Sequence, residues 1–191
     1  MNEIFRNIYA RRSVRNYLHD EVPDEVILDL IKAGIRAPSA INEQPWRFVI
    51  VKNRDIIAEY SSRAKELSLE QFQGSDHPEV QGLIRMVSNP KFNIFYDAPV
   101  LVMIFSRPDA LVPEIDCALA AENMMLSAWS LGIGSCWIGL AVPLGGDEYF
   151  LKEVGVPEGY KLVAPLIFGY PAKADHKPTP RDEDVVLRWV K

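Results

Sequence analysis

Residues 116–131 are apolar almost all the way round, and no other stretch restricts the fold as much. Cys117, Ala118, Leu119, Ala120, Ala121, Met124, Met125, Leu126, Ala128, Trp129 and Leu131 leave a helix there with almost no polar face. Such a helix must be covered on both sides, so it belongs inside something thicker than a two-layer domain. In a chain of 191 residues a second subunit is one way to supply that cover. The other is a central core position in a monomer. Gly132 and Gly134 close the helix, and residues 135–138 read as the next strand.

The flanking elements follow the same logic. Residues 24–36 read as an amphipathic helix, with Val26, Ile27, Leu30, Ile31 and Ala33 at helical spacing behind the start signal Pro23-Asp24. Residues 48–51 read as a short strand led in by Pro45-Trp46, and residues 55–69 and 78–87 as helices. The Val- and Ile-rich run 99–105 has the pattern of a strand buried on both faces. Residues 160–170 form another, with Pro165 restricting it to an edge or an irregularity. Strands alternate with helices in an α/β (α+β) sandwich. No linker or internal repeat divides residues 1–191, which gives a single domain.

A formal charge of −5 argues against a sequence-independent nucleic-acid binder, which needs a broad basic face. The N-terminus lacks the apolar core of a signal peptide, and the run 100–105 is far shorter than the ~20 residues of a membrane span. Cys117 and Cys136 form neither a CxxC pair nor a disulfide framework and read as buried free thiols. The expected setting is the cytoplasm, without a membrane. His19, His77 and His176 stand apart from any metal-ligand spacing. Gly132-Ile133-Gly134 starts like a dinucleotide fingerprint but has Trp137 where the last glycine belongs.

Against that acidic background, Arg11-Arg12-Ser13-Val14-Arg15-Asn16-Tyr17 places three guanidiniums and a hydroxyl within five residues. Arginine's planar fork of donors suits phosphate and the carbonyl edge of a pyrimidine-like ring. Three more segments follow in order: Ala37-Pro38-Ser39-Ala40-Ile41-Asn42-Glu43-Gln44-Pro45-Trp46, then residues 116–139, then Gly169-Tyr170-Pro171 with Lys177-Pro178-Thr179-Pro180-Arg181. In this order and spacing the chain resembles the nitroreductase family of FMN-dependent oxidoreductases. The resemblance is weakest between about residues 59 and 90.

The resemblance implies a central mixed sheet flanked by helices, and a homodimer with a long helix in its interface. It also implies an exchanged C-terminal arm, residues 184–190, that adds a strand to the partner's sheet. FMN would sit between subunits. Arg11 and Arg181 match residues at its phosphate, with Lys177 a further candidate. Arg12 lies in the same cluster, at a position whose residue type varies among relatives. Ser13 matches a hydroxyl near the ribityl and pyrimidine region. Arg15 matches the basic residue beside N1 and O2, where reduction places negative charge. Pro38, Ser39, Ala40 and Asn42 match the segment offered by the opposite subunit. Ile138 and Gly139 match the strand end near flavin N5, where a glycine lets backbone approach. Ala40 and Ile41 replace the hydroxyl residues often found in relatives, which makes the substrate-facing roof more apolar.

The implied activity is ping-pong transfer of hydride from NADH or NADPH, through the flavin, to an electron-poor small-molecule acceptor such as a nitroaromatic, quinone or activated alkene. No side-chain acid, base or nucleophile is required, and Glu43, Asp97 and Glu122 are expected in structural or solvated roles. The same fold with FMN also serves dehalogenation or flavin breakdown, and a flavin-binding protein without turnover is the non-enzymatic alternative.

Overall fold

A computed structural model of the chain describes residues 1–173 and 179–191. Its helices are α1 (Glu3–Ala10), α2 (Asp24–Gly34), α3 (Arg54–Phe72), α4 (Pro78–Val87), α5 (Pro113–Ser130) and α6 (Glu148–Glu153). Its strands are β1 (Trp46–Val51), β2 (Val100–Ser106), β3 (Gly134–Trp137) and β4 (Lys161–Gly169). They form one sheet in the order β1-β2-β4-β3, antiparallel at every pairing. The parallel component is the bridge between Ser13 and Ser135.

β2 is buried along its whole length and β4 at all but its first residue, because helices cover both faces of the sheet. Successive side chains of β2 point to opposite faces. Val100, Val102 and Ile104 join the core under α2 and α5. Leu101, Met103 and Phe105 join the core on the other side, with Ile57, Tyr60 and Ala64 of α3. The result is a three-layer sandwich built on a short sheet.

Pro165 lies in an interior strand, between β2 and β3, so the edge alternative does not hold. The irregularity does: Pro165 faces Met103, and beside it the β2–β4 register slips past Val163. Besides a 3-10 turn over Ala40–Asn42, three elements lie outside the sequence expectation. They are α1, the 3-10 turns over Gly139–Gly146, and the short α6. α1 is started by Asn2, whose side chain accepts the Phe5 N–H at 3.1 Å, yet it buries none of its residues.

α5 is buried on one side only, while α1 meets its other side through Asn7, whose Nδ2 donates to the Leu126 carbonyl at 2.8 Å. Cys117, Ala120, Ala121, Met124, Met125 and Ala128 are buried against the sheet, while Ile115 and Leu119 on the outer side are 60% and 41% exposed. The tail forms no strand within the chain. Its Leu187, Trp189 and Val190 stand in solvent. Both cysteines are buried and free. No helix among the described residues is long and apolar enough to cross a membrane.

Candidate functional site

The arginine cluster is held by the backbone that carries it. After α1 the chain runs extended beside β3, and the Val14 N–H donates to the Ser135 carbonyl at 2.9 Å. Val14 is fully buried. A Cβ on Gly134 would lie 2.7 Å from Val14, so glycine there is what allows this close approach. Tyr17 is packed against Gly169, where a Cβ would come within 2.8 Å of its ring, and its hydroxyl donates to the Val14 carbonyl at 2.6 Å. With Val14 and Tyr17 turned inward, Ser13 and Arg15 are left exposed. Burial raises the Tyr17 hydroxyl's pKa well above the ordinary value and keeps the phenol neutral.

The three arginines have different surroundings. Arg11 Nε lies 3.4 Å from Glu122 Oε1 on α5. Arg12 turns back onto the end of α1 and donates from Nη1 to the carbonyls of Tyr9 and Arg11, each at 2.6 Å. Its Nε is buried without a partner, as is the Ser135 hydroxyl. The Arg15 guanidinium lies 5.9 Å from the Tyr96 ring centroid, and its charge reaches the Cys136 thiol of β3. Burial raises the Cys136 thiol's pKa, although Arg15, Ser13 and Arg11 pull it the other way.

The segment 38–44 is pinned at the start of α5. Asp116 is buried, and its carboxylate accepts the Ala40 N–H at 3.2 and 3.3 Å. Ser39 Oγ accepts the Gln44 N–H at 3.0 Å, and Asn42 Oδ1 accepts from Gln44 Nε2 at 3.2 Å. Glu43 pairs with Arg107 at 3.1 Å and accepts the Leu111 N–H at 2.9 Å, a structural role. Glu122 and Asp97 are likewise engaged, with Arg11 and with Asn93. These anchors hold Ile41, Asn42 and Gln44 at φ of 46°, 60° and 50°. Such angles are strained for a β-branched residue, yet Ile41 is 86% exposed. Pro38 is exposed beside them.

At the end of β3, the Ile138 N–H donates to the Pro165 carbonyl at 2.9 Å and its side chain is buried. A Cβ on Gly139 would meet no atom within 4 Å. Among the described residues nothing therefore requires glycine at this position. A cleft of about 680 Å³ opens beside it, lined by Gly139, Leu140, Val142, Pro143, Ser68 and Phe72 among others.

The structure thus sets Ser13 and Arg15 beside β3, pairs Arg11 with Glu122 of α5, and holds the segment of Pro38, Ser39, Ala40 and Asn42 to the start of α5 through the bond from Ala40 to Asp116. Arg181 is exposed in the extended tail, and Lys177 lies outside the described residues. Asp116, Tyr17 and Tyr96 are supporting residues that the sequence reading did not pick out. An acid in the first turn of an apolar helix was visible, but its partner 76 positions away was not. Among the described residues no group of His, Cys, Asp or Glu is placed to hold a metal.

The nitroreductase family model matches residues 8–170. A provisionally named NADH dehydrogenase/NAD(P)H nitroreductase of Archaeoglobus fulgidus is 34% identical over 173 residues, covering 90% of this chain and 87% of that protein. The crystal structure of a Bacteroides fragilis nitroreductase with bound FMN is 31% identical, superposes with a TM-score of 0.85 and is covered over 100% of both chains. Human iodotyrosine deiodinase 1 is 27% identical over 201 residues, covering 96% of this chain and 68% of that protein. By its matched length, its identity to these relatives and its sandwich of helices on a short sheet, the chain belongs to the nitroreductase family.

Proposed function

We propose that this protein is an FMN-dependent NAD(P)H oxidoreductase, acting as a homodimer on an electron-poor small molecule. The observation that carries the reading is the pairing, along β3, of a cation beside Cys136 with an open-faced glycine at the strand's end. The residues present fit the cofactor. Arg11 offers a guanidinium to a phosphate, Ser13 a hydroxyl to the ribityl and pyrimidine region, and Arg15 a fixed positive charge to the N1–C2=O edge. Gly139 leaves space for a planar ring to lie against backbone beside the buried Ile138, and Arg12, folded onto the end of α1, would support the Arg11 backbone that faces the phosphate.

Bound FMN would supply the redox chemistry, passing hydride from NADH or NADPH to the acceptor in a ping-pong cycle. Arg15 favours the reduced state because its charge meets a negative charge that appears only on reduction. Arg11 and Arg181 are assigned to a charge that does not change, so they hold rather than tune. The segment 38–42 would close the site from the opposite subunit, with Ile41 giving the roof an apolar surface. Cytoplasmic location goes with this reading.

Purified protein should be yellow and release FMN on denaturation, at about one per chain. It should oxidise NADH or NADPH when menadione is supplied. FAD in place of FMN, or no uptake of FMN by the apoprotein, would sink the reading. The similarity to an iodotyrosine deiodinase favours a second reading with the same fold and cofactor but reductive dehalogenation as the reaction. An acceptor panel containing a nitroaromatic, a quinone and 3-iodotyrosine separates the two.

A further inference from the structure

We propose that Tyr96 is a positioning residue for Arg15: its ring, presented by a strained turn, holds the guanidinium in place and so sets how strongly the site prefers reduced over oxidised flavin. This inference rests on the reading of the arginine segment as an FMN site.

Arg15 is exposed on an extended segment, where a long side chain is free to sample many rotamers. An ion pair would pin it but would also cancel its field. Among the described residues every carboxylate ion pair goes to another cation, including Arg11 with Glu122. Arg15 instead faces an aromatic ring at 5.9 Å, within cation–π reach. A π face attracts a guanidinium without neutralising it. Its charge therefore remains available to a ligand, and it already acts on the Cys136 thiol of β3, opposing the rise that burial causes there. Burial raises the pKa of the Tyr96 phenol, and Arg15 opposes that rise, so the two groups sense one another.

The backbone points the same way. Tyr96 and Asp97 both adopt left-handed angles, φ 53° and 54°, which for a bulky aromatic residue is a real outlier. The turn is nevertheless fixed at several points. The Tyr96 N–H donates to the Asn93 carbonyl at 2.9 Å, and Asn93 Nδ2 to Asp97 Oδ1 at 2.9 Å. Ile94, Phe95 and Ala98 are buried on either side, and Phe92 meets the Tyr96 ring edge-on at 5.6 Å. Surroundings that over-determine a strained conformation are a mark of functional sites. A turn with no further task would be better served by Asn or Gly at position 96. What Tyr contributes there is the ring beneath Arg15.

The test is a double-mutant cycle on FMN-loaded full-length protein, read by flavin midpoint potential and by FMN affinity. Tyr96→Asn removes the ring and suits the left-handed backbone. It should lower the potential, reducing the preference for reduced over oxidised FMN roughly two- to fivefold, the size of an exposed cation–π contact. Affinity for oxidised FMN should move less. In an Arg15→Ala background the same substitution should produce no further shift. Should Tyr96→Asn fail to fold, Tyr96→Leu carries the same comparison. An unmoved potential, or an equal shift with and without Arg15, overturns the role of Tyr96 and leaves the FMN assignment standing. A wild-type protein that takes up no FMN overturns both.

Discussion

At the scale of single residues, Gly139 and Arg15 give the sharpest expectations. Because a side chain at 139 would meet only open space, Gly139→Val should leave the melting temperature nearly unchanged and yet abolish FMN binding. Calorimetry beside a flavin titration checks this, and retained affinity would mean that the cofactor lies elsewhere. Arg15→Ala should lower the midpoint potential, whereas Arg11→Ala and Arg181→Ala should weaken FMN binding by about 1.5–3 kcal/mol each with little change in potential. An equal fall in potential in all three variants would refute that division. The cluster itself is legible in the sequence, since three arginines in an acidic chain stand out. Their separate fates are not, because the contacts that distinguish them come from Glu122 on α5, from the carbonyls ending α1, and from Tyr96.

At the scale of elements, α5 and α6 each turn on one aspartate. Asp116→Ala would leave the Ala40 N–H unpartnered and release the strained loop, at a cost of about 1–3 kcal/mol. Denaturant melts and proteolysis within 38–44 should both report it. Asp147 caps α6 through the Phe150 N–H at 3.1 Å and pairs with Arg63. Burial alone would raise its pKa, but the Phe150 N–H and the Arg63 guanidinium together hold it below the usual carboxylate value. A folded pKa below the unfolded one means that its stabilisation is present at neutral pH and fades as pH falls through the folded value. Asp147→Asn keeps an N-cap acceptor but loses the charge that faces Arg63, so it should lose stability at pH 7 and show a flatter acid limb than the wild type. Long elements such as α5 and β2 are readable from their apolar patterns. Short ones such as α6 depend on contacts made after the chain has folded.

At the scale of the whole molecule, the outer side of α5 at Ile115 and Leu119, an α1 that buries none of its residues, and the exposed apolar tail describe a surface that one chain leaves uncovered. The protein is expected to be a homodimer at low micromolar concentration, and light scattering showing a folded, FMN-bound monomer would count decisively against it. Deleting residues 182–191 should leave the secondary structure intact, since every residue of this stretch is exposed and it forms no strand within the chain, while weakening both the dimer and FMN retention. The sequence by itself determined the layers: apolar runs without alternation have to be buried on both faces, and a helix without a polar face has to find a second cover. Only the tertiary structure decided that β4 lies inside the sheet despite Pro165, that Asp116 reaches Ala40, and that Arg15 rests on Tyr96. Periodicity along a chain records how much of each element is buried. Which distant residue does the burying is set by register and packing, through contacts that local pattern does not encode.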